Sequence, residues 1–70
     1  MKSSAVLDMG EIERFIFNFI QSNLGSMKWD IKKACEKENI SERKAIQCVN
    51  YLYETEQIRY EDGKYYIMDD

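Results

Sequence analysis

The chain has 70 residues, a mass of 8.4 kDa and a net charge of −3, from 10 Lys and Arg against 13 Asp and Glu. A chain of this length forms one domain, whose small core leaves little room for a deep ligand cleft. Because the sequence has no histidine, it offers neither an imidazole base nor a Cys/His zinc site. The acidic balance also argues against tight, non-specific binding to nucleic acid, which depends on Lys and Arg neutralising phosphates.

Hydropathy and cysteine usage indicate an intracellular protein. No apolar run approaches the roughly 18 residues of a membrane helix, and the N-terminus lacks the apolar segment of a signal peptide. Cys35 and Cys48 fall on the apolar faces of predicted helices, where thiols act as small core hydrophobes rather than as a disulfide. We expect the nucleus if the source is eukaryotic and the cytoplasm if it is archaeal or bacterial.

The first helix is predicted to begin at Asp8, after a flexible lead-in over residues 1–7, so that 8–70 form a single domain. Asp8 stands three residues before Glu11, which is the spacing of a capping box. Gly25 can take the left-handed conformation that ends a helix. Apolar residues recur between these signals at the spacing of one buried face, namely Ile12, Phe15, Ile16, Phe19 and Ile20.

Two further helices are predicted, joined by a tight turn. After an extended link at 26–28, the second helix runs over about 29–38 and the third over about 42–55. Asn39 can adopt the left-handed conformation that ends the second helix, and Ser41 is a suitable N-cap for the third. The predicted buried faces are Ile31, Ala34 and Cys35 in the second helix, and Ala45, Cys48, Val49 and Leu52 in the third.

The last part of the sequence predicts a β-hairpin. The runs 58–61 and 64–67 are rich in Ile and Tyr, and Asp62-Gly63 between them is a strong signal for a two-residue turn. Such a turn pairs Ile58 with Ile67, Arg59 with Tyr66, Tyr60 with Tyr65, and Glu61 with Lys64. Alternation then places Ile58, Tyr60, Tyr65 and Ile67 on one face. We expect that face to pack on the helices, because an isolated hairpin is marginally stable.

This order of elements is that of a winged helix-turn-helix, an α+β fold of three helices, a C-terminal β-hairpin wing and a short extra strand near Met27. Part of the chain resembles the C-terminal winged-helix domain of MCM replicative helicases. The residues that carry the likeness are Cys35-Glu-Lys-Glu-Asn-Ile-Ser41, Val49, Leu52, Ile58, Glu61 and Gly63-Lys-Tyr-Tyr66. Where that family usually has Gly-Ile-Ser, this chain has Asn39 before Ile and Ser.

A second likeness involves Asp30-Ile-Lys32, residues 45–52, Ile58 and the acidic wing. These are similar to the winged helix that closes the middle subunit of replication protein A. That module recruits repair and replication proteins through short helical peptides and binds DNA weakly if at all. The two resemblances together imply a module of DNA replication or repair machinery.

Direct DNA contact would use the outward face of the third helix and the wing. The candidates are Arg43, Lys44, Gln47, Asn50 and Tyr51 on the helix, with Arg59 and Lys64 on the wing. Asn and Gln can read adenine, and Arg and Lys can hold guanine or phosphate. The same residues also fit the solvated face of a small domain. Acidic residues stand among them, so we expect DNA binding by this chain alone to be weak and salt-sensitive.

A protein-binding surface is favoured over DNA contact, because a core this small cannot bury nine aromatic rings. The candidates are Phe17, Trp29, Tyr51 and Tyr53, with the acidic Glu61 and Asp62 of the wing. Each ring could instead complete the edge of the core. An acidic surface with aromatic anchors suits a basic amphipathic helical peptide, or a surface of a parent complex.

Catalysis is the weakest interpretation, because Ser and Cys have no histidine base and no metal-binding loop signature is present. We expect no enzyme activity, cofactor, metal, membrane or small-molecule substrate. The favoured function is recruitment or regulation through protein contacts within replication or repair machinery. The alternative is a small DNA-binding protein with its third helix in the major groove and its wing on the backbone, such as a dimeric transcription regulator. A structural subunit contact through Phe15 and Phe17 is a third possibility.

Overall fold

The computed structural model describes residues 9–68. In chain order these form α1 (Met9–Ser22), β1 (Ser26–Met27), α2 (Lys28–Lys37), α3 (Glu42–Glu54), β2 (Ile58–Glu61) and β3 (Lys64–Ile67). The helices, the link strand and the hairpin follow the predicted order. The predicted lead-in and the Asp8 cap lie outside the described residues.

The helix α1 packs on the core through Ile12, Ile16 and Ile20, which stand one turn apart and are all buried. Phe15 and Phe19 were predicted for the same buried face, but they are half-buried at its margins. Phe17 is half-buried as well and also packs against the core. Each of these phenylalanines is next in sequence to a buried isoleucine, and adjacent residues of a helix point in different directions, so the rings flank the line of isoleucines.

Gly25 connects the end of α1 to the sheet. Its φ of +86° is left-handed as predicted, but α1 has already ended at Ser22. The N–H of Gly25 donates to the carbonyl oxygen of Tyr65 in β3 at 2.8 Å, rather than to a helix carbonyl. A Cβ on Gly25 would stand 3.7 Å from the Tyr66 ring. The hydrogen bond therefore ties the link after α1 to β3, and the left-handed φ rather than crowding favours glycine at this position.

Side-chain caps begin α2 and α3. A carboxylate oxygen of Asp30 accepts a hydrogen bond from the N–H of Met27 at 3.1 Å, and α2 begins at Lys28, one residue before the predicted start. The hydroxyl of Ser41 accepts from the N–H of Lys44 at 3.3 Å, which confirms the predicted N-cap.

Both α2 and α3 end in a left-handed residue that is not glycine. Asn39 and Glu56 each have a φ of +62°. After α3, the N–H of Gln57 donates to the Leu52 carbonyl at 2.9 Å, and the N–H of Glu56 donates to the Tyr53 carbonyl at 3.1 Å. This pair of bonds is the Schellman arrangement, which turns the chain sharply into β2.

The three strands form an antiparallel sheet in the order β1-β3-β2. All four predicted pairs of the hairpin are confirmed, from Ile58 with Ile67 to Glu61 with Lys64. Asp62 and Gly63 have φ values of +55° and +78°, as a type I′ turn requires. The central strand is β3, which pairs with β1 on one side and β2 on the other, so β2 is an edge strand.

Tyr60 departs from the predicted packing of the hairpin. Ile58 and Tyr65 are buried and Ile67 is half-buried, but the Tyr60 side chain is exposed although it points to the same face. The helices cover the end of the hairpin near Ile58 and the central strand β3. Tyr60 lies farther along the edge strand, beyond the area that the helices cover.

The buried core joins all three helices to the sheet, which makes a small α+β fold. Its members are Ile12, Ile16, Ile20, Ile31, Cys35, Ile40, Ala45, Cys48, Val49, Leu52, Ile58 and Tyr65. Cys35 and Cys48 are free thiols inside this core, as predicted. Within residues 9–68, no helix has the length and apolar character needed to span a bilayer.

Candidate interaction surface

A groove of about 510 Å³ lies between the end of α3 and the edge strand β2. Its walls carry three exposed, large side chains, of which Tyr53 is 52% exposed, Tyr60 51% and Met68 43%. Buried Ile58 contributes to the floor. Exposed, large side chains that line one concave surface make it a candidate for contact with a partner. We call Tyr53, Tyr60 and Met68 with this groove the wing groove, because the hairpin is the wing that the sequence predicts.

One aromatic group of the wing groove, Tyr60, rests on the core. The ring centroids of Tyr60 and Tyr65 are 4.7 Å apart, with the planes tilted by 49°. Burial, and then the neighbouring phenols of Tyr60 and Tyr53, raises the pKa of the Tyr65 phenol above its usual value. The three tyrosines therefore form one cluster, in which Tyr65 belongs to the core and the other two face solvent.

Carboxylates predominate around the wing groove. Glu54 and Glu56 are among its lining residues, and the only cation among them is Arg59. The Nε of Arg59 lies 3.5 Å from a carboxylate oxygen of Glu61, and its guanidinium lies 4.9 Å from the centre of the Tyr66 ring. The charge of Arg59 is thus already paired within the strand. The wing groove accordingly presents a net negative charge to a partner.

The predicted partner residues occupy several places rather than one. Phe17 is half-buried and lines a separate groove with Leu52 and Gln57. Trp29 is exposed on α2, and Tyr51 and Tyr53 are both exposed on α3. Glu61 and Asp62 are exposed at the end of β2 and in the hairpin turn. Of these six residues, only Tyr53 lines the wing groove.

The sequence interpretation missed Tyr60, Met68, Glu54 and Glu56 as parts of one surface. Tyr60 was assigned to the core from the alternation of the hairpin. The predicted extra strand near Met27 was nevertheless a signal for an exposed edge. When that strand pairs with one strand of the hairpin, the other hairpin strand stays at the edge of the sheet. If β1 pairs with β3, the exposed edge strand is β2.

The candidate DNA contacts are all exposed. Arg43, Gln47 and Asn50 follow the i, i+4, i+7 spacing of one ridge on α3, with Lys44 and Tyr51 on its flank. Asn50 also lines a small cleft with Lys28 and Lys32 of α2. Lys64 stands on β3, on the solvent face of the sheet opposite Glu61.

Two ion pairs lower the positive charge that is free to meet phosphates. Lys32 lies 3.6 Å from Glu42 at the start of α3, and Arg59 is engaged by Glu61. The ridge itself ends in the carboxylate of Glu54, one turn after Asn50. On α3 itself the base-reading side chains have two cations beside them, Arg43 and Lys44, and the helix carries a carboxylate at each end, Glu42 and Glu54.

The buried thiols are poor nucleophiles. Burial, and then the neighbouring Cys48 and Glu38, raises the pKa of the Cys35 thiol to about 11. Burial also raises the pKa of Cys48. Both thiols are protonated at neutral pH, whereas the thiolate is the reactive form. Among residues 9–68, no three Cys, Asp or Glu side chains are grouped as a metal site would need.

Comparison with known proteins gives no relative: no family model matches the chain, and neither a curated protein nor a solved structure matches it.

Proposed function

We propose that this chain is a non-catalytic winged-helix module of DNA replication or repair machinery, which recruits or regulates through protein contacts. The winged-helix assignment is supported by the order of the elements and by β1, which pairs with the second strand of the hairpin. The likeness to the winged helices of MCM helicases and of replication protein A supports the biological setting.

The wing groove is the observation that carries the recruitment function. Tyr is among the residue types that dominate the energy of protein interfaces. The wing groove offers two exposed tyrosines, a methionine that can adapt to different apolar partners, and an acidic border. These properties fit a basic amphipathic helical peptide that places apolar side chains between Tyr53 and Tyr60 and cations near Glu54 and Glu56.

Weak DNA binding by this chain alone is part of the proposal, and the ion pairs of the surface support it. Affinity for duplex DNA grows with the number of phosphates that Lys and Arg neutralise. On this chain, Lys32 and Arg59 are paired with carboxylates. The other domains of an assembly would hold DNA while this module holds a protein.

Amide chemical-shift mapping tests the proposal. The probe is a short amphipathic peptide of Lys, Leu and Ala, and the matched control replaces each Lys by Glu. We expect saturable shifts at Tyr53, Tyr60 and Met68 with the basic peptide and none with the acidic one. Equal shifts with both peptides, or shifts confined to another face, would refute the wing groove as the binding site.

Direct DNA binding is the second candidate, supported by the ridge of Arg43, Gln47 and Asn50 on α3. In this alternative, α3 enters the major groove and Lys64 contacts the backbone. A titration with a mixed-sequence duplex at physiological salt separates the two functions. Saturable shifts along the ridge would favour DNA binding, and the absence of shifts there would rule out DNA binding through α3.

A further inference from the structure

Trp29 is the only tryptophan of the chain, and it contributes little to the fold. Its side chain is 63% exposed on α2. Ile31 and Cys35 mark the buried face of that helix, and Trp29 stands on the opposite side by helical spacing. A large aromatic ring that faces solvent on a rigid helix offers a flat surface for a ligand.

The surroundings of Trp29 are basic, unlike those of the wing groove. The Nζ of Lys33 lies 5.3 Å from the centre of the indole ring, a cation–π distance. The helix also carries three more lysines against two acids, namely Lys28, Lys32 and Lys37 against Asp30 and Glu36. The carboxylate of Asp30 is held by the backbone N–H of Met27 at the start of the helix. Because Lys32 is engaged by Glu42, the cations left beside the ring are Lys33, which contacts it, and Lys37, one turn farther along the helix.

We propose that the outer face of α2 binds single-stranded nucleic acid, with one base stacked on Trp29 and the adjoining phosphates held by Lys33 and Lys37. Stacking of a base on an aromatic side chain is tolerant of sequence and needs only an exposed ring. The wing groove, which serves the proposed protein partner, lies on other elements, so the two functions are independent.

An acidic peptide is the competing occupant, and the groove beside Trp29 argues against it. That groove, of about 460 Å³, is lined by Phe19, Leu24, Ala34 and Lys33 among others, but not by Trp29. A peptide that filled it with apolar side chains would leave the indole unused. A nucleobase uses the indole directly.

Intrinsic fluorescence tests this proposal without a label, since all indole emission comes from Trp29. The probes are a short oligothymidylate and an abasic oligonucleotide of equal length, at low ionic strength. We expect saturable quenching by the oligothymidylate and binding at least about threefold weaker for the abasic strand. No quenching, equal quenching by both, or equal affinity for a duplex would overturn the proposal. A Glu- and Leu-rich peptide that quenched instead would assign the face to an acidic protein.

Substitutions provide the second measurement, with a fluorescein-labelled oligothymidylate and anisotropy as the readout. Trp29→Ala should weaken binding about fivefold or more, because base stacking contributes about 1–3 kcal/mol per base. Trp29→Phe should retain part of the affinity. The control is Leu24→Ala, a large apolar residue with the same 63% exposure as Trp29, which lines the neighbouring groove and should change the affinity less than twofold. Unaltered binding by Trp29→Ala, with the circular dichroism of the native fold, would refute the stacking role.

Discussion

The ring of Tyr60 lies against the ring of Tyr65, with centroids 4.7 Å apart, yet the first side chain is 51% exposed and the second 7%. Tyr65 is a core residue, and it is also the support on which Tyr60 rests. Because the exposed ring is held by a buried one, the wing groove has a defined shape in the absence of a partner. This reduces the entropy that a partner must overcome when it orders the surface.

The two tyrosines should therefore differ in their contribution to stability. Tyr65→Ala should lower the free energy of unfolding by roughly 3–5 kcal/mol, as large aromatic truncations in cores do. Tyr60→Ala should lower it by less than about 1 kcal/mol, since most of that ring already faces water. Urea denaturation followed by circular dichroism measures both. Similar losses for the two variants would contradict the assignment of Tyr65 to the core and Tyr60 to the surface.

Glu56 should be replaceable by glycine with a gain in stability. Its φ of +62° is unfavourable for a residue with a Cβ, by about 1–2 kcal/mol, whereas glycine adopts it freely. Glycine also loses more conformational entropy on folding, which offsets part of this gain. Glu56→Gly should therefore stabilise the domain by roughly 0.5–1 kcal/mol. The matched control is Glu54→Gly within α3, which should destabilise by a similar amount. A lower thermal midpoint for Glu56→Gly would count against the Schellman end of α3.

Alkaline pH should destabilise the domain through Cys35. Its thiol has a pKa raised from the ordinary 9.0 to about 11 in the fold. Above pH 9 the unfolded thiol loses its proton while the native thiol keeps it, so stability falls until the pH passes the folded pKa. The loss attributable to Cys35 is on the order of 2–3 kcal/mol.

Urea denaturation at several pH values measures this effect. Cys35→Ala provides the control, because it removes the titrating group, and its stability should decline less steeply between pH 9 and pH 11. The raised pKa values of Cys48 and Tyr65 add to the decline in both proteins. A parallel decline for the wild type and Cys35→Ala would show that the thiol does not titrate with folding.

The sequence predicted those parts of the fold that depend on local chemistry. Asp62 and Gly63 determined the turn, and the turn determined the register of all four hairpin pairs. Ser41 and Asn39 marked the tight connection between α2 and α3 correctly. Periodicity likewise identified the buried isoleucines of α1.

The wing groove could not be predicted in the same way, because it depends on how far the helices extend over the sheet. Alternation assigns Tyr60 to the inner face of β2, but it does not say where that face leaves the cover of the helices. The groove also joins the end of α3 to Met68, which follows the last strand. Neighbours of this kind are set by tertiary packing, which no short sequence pattern records.

The acidic border should control how quickly a basic peptide associates with the wing groove. Glu54→Gln and Glu56→Gln should each lower the association rate at low salt, because they weaken long-range attraction. Stopped-flow anisotropy with the Lys, Leu and Ala peptide measures this rate. The association rates of the wild type and the variants should converge as salt is raised, because the screening length of charge–charge attraction falls to about 3 Å at 1 M salt. The control is Glu36→Gln, an exposed position on α2, which should leave the association rate unchanged. An equal fall in the rate at all three positions would indicate attraction by net charge alone.

The affinity of the same peptide for Tyr60→Ala and Tyr51→Ala tests the central claim most directly. Both residues are exposed tyrosines, but only Tyr60 lines the wing groove. We predict that Tyr60→Ala weakens binding at least about fivefold, as expected for an aromatic anchor, while Tyr51→Ala changes it less than twofold. Equal affinities for the two variants, measured by fluorescence anisotropy on natively folded protein, would contradict recruitment through the wing groove.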